Sequence, residues 1–256
     1  MTDATRPRRR TGRTVAIIAI IVVLIAGLLV AAEAIARSAV GNTVRSLVVK
    51  QVGLPADQQV DVQVPGLVLP QLLTGRLDQV AVSAPDVSLG PLTGDVRVDL
   101  QGVPVAGNAP AAGGSASVRL DPDQLRALLS QIPNFPSDTV GTAAPDLTLS
   151  TQFSVFGIPI PVGISVTPGA ADGDLTLTPT SFELGGNRVD ADTLRGQLGG
   201  AADAALQTWN LCIADRLPAG LTLSAVSVQG QDVVATLDID GRILSDPALQ
   251  QNGTCG

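Results

Sequence analysis

The sequence predicts an α+β fold in which a long, curved antiparallel sheet wraps one or two long helices, preceded by an apolar N-terminal helix. Three observations predict it. Short runs alternate strictly between apolar and polar residues, the pattern of an antiparallel sheet with one wet face. Two stretches, 34–51 and the one opening at Asp190 or Asp192, carry apolar residues at helical spacing. The run from Val15 to Ala32 contains no polar side chain.

Arg6, Arg8, Arg9, Arg10 and Arg13 precede that run, opposed only by Asp3. As a helix rising ~1.5 Å per residue, VAIIAIIVVLIAGLLVAA spans about 27 Å, close to the ~30 Å hydrocarbon core of a bilayer. Arginines on the near side predict a cytoplasmic N-terminus and an exported body. The expected division is a basic cytoplasmic leader at 1–14, a transmembrane anchor or signal segment at 15–36, and an extracytoplasmic domain at 37–256. Two readings stay open. One is an uncleaved single-pass anchor in the inner membrane; the other is a signal peptide cut at Ala32-Glu33-Ala34 or Ala34-Ile35-Ala36, with the domain secreted.

Beyond the leader, Ile35, Val40, Val44, Leu47 and Val48 recur as one helix face, and Gly53 and Pro55 supply its stop. Strands follow: Val60, Val62 and Val64 alternate with Asp61 and Gln63, then Val80 and Val82 with Gln79 and Ala81. Val96, Val98 and Leu100 alternate with Asp95, Arg97 and Asp99. Residues 104–116 are low in bulk and charge and read as a surface loop. After a strand through Ser117–Leu120, Asp121, Pro122 and Gln124 form a capping signature for a short helix carrying Leu125, Leu128 and Leu129. An irregular connection at 131–145 leads to strands at Leu147–Phe153, Ile158–Val166, Leu175–Leu177 and Phe182–Leu184. A second long helix should then place Leu194, Leu198, Ala202, Ala205, Leu206 and Trp209 on one side. A hairpin of Leu221–Val228 and Val233–Ile239, turning at Gly230–Asp232, closes the domain.

Composition excludes much chemistry. The chain has no histidine, no tyrosine and a single lysine, Lys50, so groups that titrate near neutral pH are almost absent. No G-x-S-x-G elbow and no phosphate-binding glycine loop occur. Four pairs, Asp121/Asp123, Asp172/Asp174, Asp190/Asp192 and Asp238/Asp240, invite comparison with glycosidase carboxylates. Three of them fall at turns or helix starts, where aspartate caps and solvates, and Asp238/Asp240 fits a solvent face. A calcium site at Asp172-Gly173-Asp174 lacks further ligands at regular offsets. The expectation is no enzyme, no metal and no cofactor. Outside the first 36 residues, eleven basic residues face 21 acidic ones, a net charge of −10, which repels nucleic acid. Cys212 and Cys255 suit an oxidising compartment; a bridge between them would close a loop worth roughly 4 kcal/mol in the chain-entropy model.

Several segments together carry a family resemblance: GLP at 53–55, LPQLLTGRLDQVAVSAPDV at 69–87, DVRVDLQGVPV at 95–105, LTLTPTSFELGG at 175–186 and LPAGLTLSAVSVQGQDVVATLDIDG at 217–241. The chain resembles the LmeA-like family of actinobacterial envelope proteins, whose namesake is a phospholipid-binding factor for lipomannan elongation. That family is similar to tubular lipid-binding domains, in which a curved sheet wraps a helix around an apolar tunnel. The resemblance implies a phospholipid or another acyl-chain lipid, such as a lipid-linked glycan precursor, as ligand, with the membrane and envelope glycosyltransferases as partners. It offers no catalytic motif.

The expected lipid contacts are aliphatic. Leu67, Val68, Leu69, Leu72 and Leu73 lie in the uncharged, proline-containing run 65–73, which reads as core, cavity mouth or membrane-dipping lip. Phe156 and Ile158 form an apolar bend, and Leu198 and Leu206 lie on the apolar side of the second helix. The alternative is a scaffolding protein of the envelope with a solid core and no ligand.

Overall fold

A computed structural model describes residues 10–255 apart from 56, 90–91, 107–108, 132–135, 156–157 and 202. The chain is α+β. Helix α1 (Arg10–Val52) runs unbroken for 43 residues. Its first half leaves Ile20 to Ile25 and Leu28 to Val30 exposed, and the helix is long and apolar enough to cross a membrane. Its second half turns Ala36, Val40, Val44, Val48 and Val49 onto a sheet, the stripe of a helix lying on an apolar surface.

After α1 come β1 (Asp61–Gln63), α2 (Val68–Thr74), β2 (Arg76–Leu89), β3 (Leu92–Pro104), β4 (Gly113–Leu120) and α3 (Pro122–Leu129). Next are β5 (Val140–Ala143), β6 (Asp146–Val155), β7 (Ile158–Ala171), β8 (Asp174–Leu184) and β9 (Asn187–Asp190). Then come α4 (Ala191–Leu198), α5 (Asp203–Leu206), β10 (Trp209–Leu211), β11 (Leu221–Gln229) and β12 (Asp232–Ile239).

Two antiparallel sheets form. One has the order β1-β2-β3-β4-β12-β11, the other β10-β8-β7-β6-β5 with β9 on β8. The C-terminal hairpin completes the first sheet, because β12 pairs with β4 from Val233 opposite Leu120 to Ile239 opposite Gly114. It also reaches the second, since Gly173 at the β7–β8 turn bridges Leu223 of β11. One core cluster draws on both sheets: Leu120, Val228 and Val233 pack with Leu147 and Leu149, and Leu125 of α3 sits among them. The capping box of α3 forms as the sequence predicts. The Asp121 carboxylate accepts from the backbone N–H groups of Asp123 and Gln124, each 2.8 Å, and the Gln124 side chain accepts from Asp121 at 3.0 Å.

The sequence reading does not anticipate the short elements α2 and β5, the latter inside the connection at 131–145, and the structure differs from it in two larger respects. The single long helix expected from Asp190 to Trp209 is two short helices, and Trp209 opens a strand. Gly196, Gly199 and Gly200 fall within five residues, each costing a helix about 1 kcal/mol relative to alanine; Gly199 takes the left-handed φ of 55° that ends α4. The expected loop at 104–116 gives way to β4 from Gly113. A Cβ on Gly114 would collide with the carbonyl oxygen of Asp99, so this glycine is what lets β3 and β4 approach.

Candidate functional site

In an antiparallel ladder, directly opposed residues share a face, so the registers define which side chains line which surface. Across the first sheet, Val80, Val82 and Ala84 stand opposite Leu100, Val98 and Val96. Those stand opposite Gly114, Ala116 and Val118, then Ile239, Leu237 and Ala235, then Leu221, Leu223 and Val226. Five strands thus present one apolar face. The other face carries Asp95, Arg97 and Asp99 against Arg119, Ser117 and Ser115, with Arg97 and Asp99 paired at 2.8 Å and Arg119 reaching Asp232 at 3.0 Å.

A bulge preserves this division. The register moves from Ala84 opposite Val96 to Val87 opposite Gly94, so β2 holds one extra residue there, and Asp86 takes a left-handed φ of 49°. An extra residue in one strand reverses the facing of every later residue in that strand. Val87 therefore joins the buried side with Ala84 and Leu54.

The second sheet repeats the arrangement. Leu147, Leu149 and Thr151 stand opposite Val166, Ile164 and Val162, and those opposite Pro179, Phe182 and Leu184. Pro168 and Ala170 face Leu177 and Leu175, which face Trp209 and Leu211. None of these positions is charged. The reverse side holds Thr148, Ser150, Ser165, Ser181 and Glu183, which with Arg188 surround a small polar hollow. A second cleft, at Pro55, Asp57–Gln59 and Pro85–Asp86, is lined by prolines and polar side chains. Neither is an aliphatic tunnel.

The two apolar faces meet, because Leu147 and Leu149 of the second share a cluster with Val118, Leu120 and Val226 of the first. Helices cover the joined lining only in part. α1 lies over the β1–β2 side, α3 over the corner at Leu120 and Val233, and α4 and α5 bring Ala191, Leu194 and Leu206 onto Phe182. Between them Val98, Leu100, Ala116, Val162, Ile164, Val166, Leu175 and Leu177 stay half-buried, and Leu184 and Leu211 are 63% and 45% exposed. An uncharged aliphatic surface shared by two sheets and left partly open can hold hydrocarbon; it offers no group that could take or give a proton.

The family model of LmeA-like phospholipid-binding proteins matches residues 31–238, a span that contains every strand of this lining save Ile239. The chain belongs to that family. No curated protein and no solved structure matches the chain.

Of the residues that sequence reading put forward as lipid contacts, Leu67, Val68, Leu69, Leu72 and Leu73 lie together in and just before α2 of this LmeA-like domain, and Leu206 lies apart from them in another cluster. Val68 has 0% exposure and packs with Leu72 against α1, whereas Leu67 and Leu73 face outward at 64% and 89%. Leu69 is half-buried. Leu206 is buried with Ala191, Phe182 and Leu194. Ile158 pairs with Val155 at the start of β7, Leu198 ends α4, and Phe156 lies outside the described residues. The lining residues Val98, Ile164, Val166 and Leu177 went unnamed as contacts. The alternation in 95–100 already carried the signal, but it cannot tell a solid core from an open face.

The acidic pairs have structural work. Asp121 caps α3 and Asp123 pairs with Arg126 at 2.7 Å. Asp172, with a left-handed φ of 55°, and Asp174 flank the β7–β8 turn. Asp190 precedes α4, and Asp192 pairs with Arg195 at 3.1 Å. Asp238 is exposed. The Asp240 carboxyl is held down to about 2 by hydrogen bonds from the Arg242 side chain and, second, from its backbone N–H. Among the described residues there is no group of three or more acidic or sulfur side chains that could hold a metal. Cys212 and Cys255 are joined in a disulfide, with Cα atoms 5.9 Å apart. It fastens the C-terminal tail beside β10, whose Trp209 and Leu211 belong to the lining.

Proposed function

We propose that this protein holds a phospholipid, or a lipid-linked glycan precursor, with its acyl chains laid along the joined apolar faces of the two sheets. α1 tethers it to the inner membrane as a single span, with residues 37–256 on the extracytoplasmic side. In that position it serves lipoglycan assembly of the lipomannan type, presenting lipid to envelope glycosyltransferases. One observation carries the reading: an uncharged lining runs across both sheets and is left half-open, in a chain of a phospholipid-binding family. The disulfide and the arginine-rich leader support an exported, anchored domain.

Organic extraction of the purified full chain, followed by mass spectrometry, tests the proposal. Phospholipid or polyprenyl-linked glycan in near-stoichiometric amount is the expected result. A preparation that is folded and free of lipid, and that takes up none from vesicles, overturns it and leaves the scaffold. Protease digestion of intact spheroplasts tests the location: residues 37–256 should be digested from outside.

A further inference from the structure

From Pro65 to Gly75 the sequence PGLVLPQLLTG carries no charge. α2 occupies most of it and carries apolar side chains on both its inner and its outer side. One side turns Val68 and Gln71 inward, and Leu72 packs against the α1 stripe of Ala36, Val40 and Val44. The other presents Leu73, 89% exposed, with Leu67 just ahead at 64%. Leu69 and Leu73 are four residues apart, so they share that outer side.

The height of this segment along α1 is fixed by hydrogen bonds. Leu67 precedes the first turn of α2 and has no side chain that can cap it. The carboxylate of Glu33 does so from α1, accepting from the backbone N–H groups of Val68 at 2.6 Å and Leu69 at 3.0 Å. Arg37 donates to the carbonyls of Val64 at 3.2 Å and Gly66 at 2.7 Å. Glu33 is the first residue after the apolar run, so the segment is clamped to the turn of α1 where that run ends. Ile35, on the same turn, is 70% exposed; Val105, whose N–H donates to the Gly75 carbonyl at 3.0 Å, is 44% exposed. Exposed apolar side chains therefore gather where the helix would leave hydrocarbon, while the first backbone N–H groups of α2 are satisfied from within, as a non-aqueous layer demands.

We infer that the Pro65–Gly75 segment is a lip seated in the interfacial layer of the bilayer, inserting Leu67 and Leu73 among the headgroups and upper acyl carbons. This rests on the reading that α1 spans the membrane. The lip also borders the lining, because Val68 shares a cluster with Leu77 and Val80 of β2. A lipid leaving the bilayer beside Leu73 meets aliphatic side chains at once.

Trp209 is the single tryptophan, so the Trp209→Phe chain gives a silent background for depth measurements. Ile25→Trp, Leu73→Trp and Leu47→Trp are each placed in that background and the full chain is reconstituted in phosphatidylcholine–phosphatidylglycerol vesicles. All three positions are exposed in the protein, so the substitutions should fold. Lipids brominated at shallow or deep acyl carbons then quench by depth. Ile25→Trp should be quenched most by deep bromines. Leu73→Trp should be quenched by shallow bromines, with blue-shifted emission. Leu47→Trp, about 21 Å further along α1 than Glu33, should be unquenched. Quenching at Ile25 without quenching at Leu73 overturns the lip and leaves the span standing. Loss of quenching at Ile25 overturns the span and the lip with it. Quenching at Leu47 means that α1 lies along the surface, and refutes both.

Discussion

Replacing valine by threonine on the lining distinguishes an acyl-chain surface from an ordinary half-open sheet. Val98, Val162 and Val166 are half-buried and lie on the apolar faces of β3 and β7. Threonine keeps their shape and their β-branching, so the strands keep their preference. In the lipid-free protein each new hydroxyl can still reach water, and folding stability should change by about 1 kcal/mol or less per site, the low end of the cost of placing a polar group in a partly apolar setting. Under an acyl chain the same hydroxyl loses water and gains no partner, which costs roughly 1–3 kcal/mol. The triple variant should thus bind lipid weaker by at least about 3 kcal/mol, on the order of 100-fold or more. Titration with a fluorescent phospholipid, alongside thermal melts, measures both effects. Thr222→Val, at an exposed position paired with Asp238 on the reverse face of β11, should alter neither. If the triple variant binds lipid as tightly as the unaltered chain while remaining folded, acyl chains do not lie on this face.

Particular contacts predict further outcomes. Cys212→Ser opens the 43-residue loop and should lower stability by about 4 kcal/mol, read by denaturant melts under oxidising conditions; no difference from the unaltered chain would mean the bridge constrains nothing. Gly114→Ala drives a methyl into the β3 backbone and should cost about 1–3 kcal/mol or more, with weakened amide protection along β3 and β4. Asp240 has a folded-state pKa depressed to about 2, against an ordinary value of about 3.9. Its stabilising contribution is therefore present above about pH 4 and lost as pH falls toward 2. A carboxyl NMR titration should find its midpoint near the lower value, and Asp240→Asn should flatten the stability profile in that window.

Strands were the most legible part of the sequence, because alternation of apolar and polar residues states both the element and its two faces. Val96, Val98 and Leu100 against Asp95, Arg97 and Asp99 is the clearest case, and the registers place the two sets on opposite sides. The capping signature at Asp121–Gln124 was equally readable, because it depends only on neighbours. What alternation cannot state is how many sheets the strands build. That depends on β12 pairing back to β4 across more than a hundred residues. Glycines misled in both directions. Gly113 and Gly114 read as loop yet sit in a strand, Gly113 with a φ of 136° that side chains rarely adopt and Gly114 where a Cβ would collide with β3, while Gly199 and Gly200 read as a thin helix yet break it. The site was obscured for a related reason. An aliphatic residue that packs a core and one that waits for hydrocarbon have the same chemistry, and only half-burial separates Ile164 from Val68.

Half-burial also bears on how such a surface would work. A 16-carbon tail loses on the order of 12 kcal/mol of favourable burial on leaving a bilayer, at about 0.8 kcal/mol per methylene. A lining that keeps Val98, Ile164 and Leu177 partly in contact with solvent can return only part of that. Equilibrium in free solution then favours the membrane, and a detached domain should be mostly empty. Tethering changes the balance, because a surface held beside the bilayer meets lipid at a high effective concentration and hands it on over a short distance. A chain beginning at Glu33, lacking the apolar run, should therefore fold with its disulfide intact yet purify with far less lipid than the full chain. Extraction and mass spectrometry on the two forms check this. Equal lipid content in both would mean that the lining closes over its ligand and that the tether is dispensable for occupancy.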